Sequence, residues 1–203
     1  MMKAHWAICA AALLVVAGCA RFKPVVQDDR YFVLTPVAVA GANTATGPAV
    51  GLGGVVIPGY LLQSGIVVRR GDNEIEYSEN LRWAERLDKN IQRVLAADLA
   101  ATLGSNVFAT AWRRDEVAAE LHVTLNRFEL DQNGAAIVDA KWLILKPGSD
   151  ETVRAGQTRI TRPGPPLSTD PDEAIATLST TLADLAREIA TALSPESRVE
   201  IGR

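Results

Sequence analysis

Two spacings of apolar residues alternate along the chain and divide it into elements. Leu87, Ile91, Val94, Leu95, Leu99 and Leu103 recur at steps of three and four, which puts them on one stripe of a helix. That helix starts at Arg82 or at Leu87, and Gly104 supplies its stop. Lys89, Gln92, Arg93 and Asp98 fall off the stripe and are expected to face water. A second stripe runs through Ile175, Leu178, Leu182, Leu185, Ile189 and Leu193. Its start is marked by Asp170 as a cap, Pro171 at the first helical position and Glu173 in a capping-box-like place. Ser194-Pro195 ends it.

Between and before the helices the spacing drops to two. Leu121, Val123 and Leu125 alternate with polar residues, and then the apolar parity shifts to Phe128 and Leu130. A β-bulge near Asn126–Arg127 accounts for the shift. Gln132-Asn133-Gly134 reads as a hairpin turn into a strand with Ala136, Val138, Ala140, Trp142 and Ile144 inward. Lys146-Pro147-Gly148-Ser149 turns into a more polar strand, 152–161, which suits an edge. Upstream, Tyr31–Leu34 and Val50–Ile57 are strand candidates, and Tyr60–Gln63 is a turn or a single helical turn. Ile66–Arg69 and Glu74–Tyr77 form a hairpin around Arg70-Gly71-Asp72-Asn73. Residues 37–49 lack periodicity and read as a loop. The expected fold is α/β: a mixed, mostly antiparallel β-sheet with two amphipathic helices packed on it.

The first residues follow a different logic. Lys3 precedes an apolar run of about ten residues, half of the roughly twenty needed to span a bilayer. Val16-Ala17-Gly18-Cys19 then resembles a bacterial lipobox, so residues 1–18 are expected to be a signal peptide and Cys19 a lipid attachment site. Ala20 rather than Asp follows Cys19, and similarity to known sorting rules points to the outer membrane, facing the periplasm. Several acyl chains at one residue anchor stably. Residues 19–30 form a lipidated tether, 31–194 the domain and 195–203 a polar tail.

Composition narrows the function. The chain has 203 residues, is 48% hydrophobic and carries a formal charge of −3. Loss of Lys3 makes the mature chain one unit more acidic, which argues against nucleic acid as a partner. Its two cysteines are Cys9, in the leader, and Cys19, so no disulfide is expected. The only histidine behind the leader is His122, placed on the water side of a strand. No Gly-x-Ser-x-Gly elbow, phosphate-binding loop or cluster of metal ligands is present, and neither catalytic residues nor cofactors are assigned. Gly51-Leu52-Gly53-Gly54 fits close packing in a strand, because no helix follows it. Asp28-Asp29 reads as solvated tether. Trp112 and Trp142 suit core or interface positions, and Trp83, among charged neighbours, is the tryptophan that could serve an interface.

A set of short motifs adds a family. Val56-Ile57-Pro58-Gly59-Tyr60-Leu61-Leu62, Ile66-Val67-Val68-Arg69 and Arg82-Trp83-Ala84-Glu85-Arg86-Leu87 together resemble the PqiC family of ABC-type transport auxiliary lipoproteins. Phe128-Glu129 and Ala140-Lys141-Trp142 fit its later strands, so the resemblance spans Tyr31 to Leu193. It departs at Leu62, where the family often has a polar residue, and at Ser64-Gly65, where it often has Pro. The resemblance implies a non-enzymatic outer-membrane lipoprotein that partners an MCE-domain, PqiB-like protein in inter-membrane lipid transport and supports envelope integrity. If that partner is a ring, this chain too could form a homo-oligomer. A lipoprotein activator of a peptidoglycan synthase is the alternative, disfavoured by the short tether. Within residues 60–86, Tyr60, Arg69, Trp83 and Arg86 are the candidate partner surface. The competing reading is that they pack the hairpin against the helix.

Overall fold

The computed structural model describes residues 28–37 and 47–194. Cys19, the leader, the tether up to residue 27 and the tail 195–203 lie outside the described residues. Ten elements follow in the order β1 (Arg30–Phe32), β2 (Gly47–Val56), β3 (Gly65–Arg69), β4 (Ile75–Trp83), α1 (Leu87–Leu103), β5 (Ser105–Phe108), β6 (Ala119–Asp131), β7 (Ala136–Leu145), β8 (Thr152–Arg162) and α2 (Pro171–Leu193). Short 3-10 turns occupy Gly59–Leu62 and Arg114–Glu116.

All eight strands join one mixed sheet, which confirms the expected α/β architecture. The longest ladders are antiparallel, β6 with β7 and β7 with β8. Strand β6 gives one edge wholly to β7. Its other edge is shared in succession: β2 runs parallel to Ala119–Thr124, and β3 runs parallel to Leu130–Asp131. Strands β2 and β3 are thus two pieces of one path along β6, interrupted at Ile57–Ser64. The β6–β7 register slips between Leu125 and Arg127, where the apolar parity placed the bulge. Strand β8 is an edge, as its polar sequence indicates, and β1 and β5 finish the other branches.

Both helices lie on one face of the sheet. Leu121, Val123, Leu125, Phe128 and Leu130 of β6 and the five predicted inward residues of β7 are buried beneath them, together with the α1 and α2 stripes up to their partly buried last residues, Leu103 and Leu193. Each fully buried aliphatic side chain contributes about 1.5–3 kcal/mol, so this layer supplies the main drive to fold. Helix α1 starts at Leu87, because Leu81–Trp83 still pair with β1. Gly104 ends it in the left-handed region (φ 60°), where a side chain would be strained, and its N–H bonds the Ala100 carbonyl. Helix α2 is capped as expected, the Asp170 side chain accepting from the Glu173 N–H at 3.1 Å.

Three expectations change. Strand β2 begins at Gly47, inside the stretch read as loop, and β5 carries no sequence signal because its four residues are half exposed. Gln92 and Asp98 do not face water; both are buried. Gln92 donates to the carbonyls of Gly53 (3.1 Å) and Ala109 (2.7 Å), tying α1 to β2 and to the segment after β5. Asp98 accepts from the Val37 N–H at 2.9 Å, Asn90 from Leu34 at 2.7 Å and Ser179 from Thr35 at 3.3 Å. Segment 33–37 crosses both helices without a strand partner, so helix side chains satisfy its amides. Asp29 is likewise not plain tether, since it pairs with Arg82 at 2.9 Å.

Leu182→Ala should cost about 2–5 kcal/mol, from lost burial plus a cavity. Asp170→Ala should cost about 1 kcal/mol through its cap alone. Urea titration reads both as shifts of midpoint at unchanged slope.

Candidate functional site

The face of the sheet opposite the helices is open, and His122, Thr124, Lys141, Leu143, Gln157 and Arg159 are exposed on it. Three carboxylates on the same face are nonetheless buried, Glu120 near the start of β6 and, at the bulge, Glu129 and Asp139. After the bulge, Arg127 and Glu129 of β6 point to this side while Phe128 and Leu130 enter the core. The Glu129 side chain has no exposure. It accepts from the Tyr60 hydroxyl (2.8 Å), Arg69 Nε (2.5 Å) and Nη2 (3.3 Å), and Arg127 Nε (2.8 Å). Asp139 of β7 accepts from Asn126 (2.9 Å), Gln157 (3.4 Å) and Arg159 (2.9 and 2.6 Å). Asn126 is the bulge residue, so the register slip also aims a donor at Asp139.

These bonds set the charge states. Burial alone would push the Glu129 carboxyl up; hydrogen bonds from Arg69, Tyr60 and Arg127 outweigh it and hold the group below its ordinary range. Burial, then the bond to Glu129, push the Tyr60 phenol up to about 12, so it stays a donor at neutral pH. The Asn126 amide first and Arg159 next keep Asp139 low despite its burial. Glu129 is therefore an ionised acceptor whose lone pairs are occupied, unsuited to proton transfer. Two guanidiniums on one carboxylate leave a net positive charge there.

Tyr60 and Arg69 of the expected partner surface are brought together by Glu129. Trp83 is placed elsewhere: its side chain is buried in the core, and its backbone N–H donates to the Ser64 carbonyl at 2.8 Å. Arg86 stands exposed at the start of α1, paired with Asp88 at 3.0 Å. Beside the Glu129 cluster the interrupted strand path leaves Val56, Leu62 and Tyr77 exposed, and the Tyr77 hydroxyl donates to the Tyr60 carbonyl at 3.1 Å. Glu129 and Arg127 were not singled out as site residues. Their signal is two opposite charges two apart, on the supposedly wet face of a strand whose other face is apolar.

The glycine run lies in β2, and a Cβ at Gly51 would come within 2.6 Å of the Trp112 ring, so close packing explains that residue. Among the described residues no group of three or more His, Cys, Asp or Glu is placed to hold a metal ion, and no helix is long and apolar enough to cross a membrane. A cleft of about 630 Å³ opens at the end of the sheet where the β3–β4 hairpin, the β6–β7 turn and the loop before α2 meet. Arg30, Glu76, Glu79 and Leu167 stand on its walls.

The class defined by this geometry is a single α/β layer pair, helices over one sheet face and charge-satisfied strands on the other, with its buried polar groups committed to architecture. The sequence model of the ABC-type transport auxiliary lipoprotein component family matches residues 32–190, and the chain belongs to that family. It is 27% identical over 146 residues to the intermembrane transport lipoprotein PqiC of Escherichia coli (strain K12), covering 70% of this chain and 75% of that protein. The PqiC of Shigella flexneri matches to the same extent. In fold, a crystal structure of an uncharacterized protein superposes with a TM-score of 0.68 at 22% identity, over 83% of this chain and 100% of the other. Protein XCC0632 from Xanthomonas campestris gives 0.65 at 17%, over 83% and 97%. The family read from the motifs around Tyr60 and Trp83 is thereby established.

Replacing Glu129 with Ala should destabilise the domain by about 3–5 kcal/mol, because it strands Arg69 and Arg127 beside a buried gap. The pH dependence follows from the lowered folded pKa. Below the ordinary value of 4.5 the unfolded chain takes up the proton first, so the stabilisation is complete above that pH and is lost as pH falls through the folded pKa. Urea midpoints measured from pH 7 to pH 3 should fall more steeply for the wild type than for Glu129→Gln.

Proposed function

We propose that this protein is a non-enzymatic accessory subunit of an MCE-type inter-membrane lipid transport system, held at the outer membrane by lipid on Cys19 and facing the periplasm. Family membership carries this reading, and the name of its Escherichia coli relative supports the intermembrane part. Its role is to dock on and position the end of an MCE-domain, PqiB-like assembly, and so to support envelope integrity. The buried charges suit such a role. They spend their hydrogen bonds on holding the Pro58–Ser64 turn to β6, which fixes an apolar rim of Val56, Leu62 and Tyr77 beside a net positive cluster. A rigid patch of mixed apolar and basic character suits a protein partner, because little side-chain freedom is lost on docking. Tyr60 and Arg69 act here as supports of the surface, and Arg86 as an exposed charge beyond it.

Two measurements test the reading. Cys19→Ala should move the protein from the membrane fraction to the soluble periplasm. Affinity purification of the anchored wild type should recover an MCE-domain protein, and Leu62→Asp should weaken that recovery while leaving the urea midpoint unchanged. Recovery of a peptidoglycan synthase in its place would reverse the assignment.

A further inference from the structure

The helix-free face of β6, β7 and β8 presents positive charge outward, because its carboxylates lie beneath its cations. Arg127, Asp139 and Arg159 stand in one rank across the three strands. The Asp139 side chain is 4% exposed, whereas that of Arg127 is 30% and that of Arg159 65% exposed. Lys141 occupies the next rank, between Thr124 and Gln157. It is exposed and has no ion pair among the described residues. Of the two guanidiniums on Glu129, Arg69 suffices to neutralise it. Arg127, Lys141 and Arg159 then face the single carboxylate of Asp139, and three cations less one anion leave an excess of two. The other carboxylates of β6 on this face, Glu120 and Asp131, sit about 13 Å along the strand from Thr124 and Arg127 respectively. Both accept from backbone amides, Glu120 from Gly148 and Asp131 from Asn133 and Ala135.

Apolar positions adjoin the cations. Val56 continues the Lys141 rank beyond Thr124, and Leu143 follows Lys141 on the same face of β7; both are exposed. The three cations stand within about 10 Å of one another, two strand spacings. Carboxylates two apart on an extended segment, or four apart on a helix, are about 5–7 Å apart, so one segment can meet two of the cations together. Val56 and Leu143 have shorter side chains than the Lys and Arg beside them, so the apolar surface lies below the level of the charges. A flat bilayer surface stops at those charges, while the side chains of a protein segment reach past them. We propose that this face takes an acidic amphipathic segment of a partner protein, its carboxylates on Arg127, Lys141 and Arg159 and its apolar side chains on Val56 and Leu143. This assignment rests on the docking role proposed above, carries the Val56 patch on to β7 and β8, and gives the docked segment its charge. Complementary charge of this kind acts on association rate and on the choice of partner.

Carbodiimide coupling, which joins a lysine amine directly to a carboxylate in contact with it, tests this on the full-length protein in isolated cell envelopes. Peptide mass spectrometry should find Lys141 joined to an Asp or Glu of another protein. Lys141→Glu should then weaken the complex with that protein about tenfold, while Lys141→Arg retains it. Lys89→Glu, the same change of charge on the exposed side of α1, should leave it intact. Salt near 1 M, where the Debye length shrinks to about 3 Å, should loosen the wild-type complex far more than that of Lys141→Glu. Unchanged urea midpoints check that the variants are folded. An MCE-domain protein at Lys141 supports the accessory role as well; a different protein that meets the same charge criteria keeps the acidic partner and removes that role. Coupling of Lys141 only within its own chain, no coupling at all, or a complex indifferent to Lys141→Glu would overturn the proposal. So would a lipid ligand, read as Lys141→Glu lowering cosedimentation of the Cys19→Ala protein with phosphatidylethanolamine–phosphatidylglycerol vesicles but not its recovery with the partner.

Discussion

At Asn126 strand β6 takes in one extra residue, and that insertion sets which side chains meet the helices on either side of it. Before it, Leu121, Val123 and Leu125 face the core; after it, Phe128 and Leu130 do. Without the slip, Arg127 and Glu129 would point beneath the helices, where an ion pair costs more in desolvation than it returns. With it, they reach the open face, and Asn126 is aimed at Asp139. Opposite this stretch the neighbouring path breaks into β2 and β3, and the turn that fills the break supplies Tyr60 to Glu129. One inserted residue thus couples core parity, strand branching and the charge cluster.

The cluster illustrates how a carboxylate remains ionised in a buried place. Its donors come from three separate strands or turns: Tyr60 from the interruption, Arg69 from β3 and Arg127 from β6. Each is held by its own backbone pairing, so the acceptor is solvated by protein in place of water. A group with every lone pair occupied contributes order rather than chemistry. That is consistent with a family of auxiliary transport lipoproteins, whose member here carries an apolar rim fixed beside the cluster.

The polar residues of α1 make the same point on the other face. Asn90 and Asp98 accept from the Leu34 and Val37 amides, which have no strand partner, and Gln92 donates to the carbonyls of Gly53 in β2 and Ala109 after β5. Asn90 and Asp98 thus fasten segment 33–37 to the helix layer, and the ion pairs of Asp29 with Arg82 and of Arg30 with Asp172 extend that attachment to the first described residues.

Local periodicity determined much of this protein. Both helix stripes, the Gly104 stop, the Asp170 cap, the three hairpin turns and the β6 bulge were legible, because each depends on residues within a turn or two of one another. The family was legible too, since its motifs lie in short contiguous runs around Tyr60, Arg69 and Trp83. The tertiary structure decided the rest. Trp83 sits in the core, Gln92 and Asp98 are buried, and β5 exists at all, because residues distant in sequence approach them. Glu129 looked like one more wet residue of an alternating strand. Only the arrival of Tyr60, some seventy positions earlier, and Arg69 made it the buried centre of a site. Spacing reports which face a side chain takes, but burial and charge pairing depend on what the rest of the chain brings to that face.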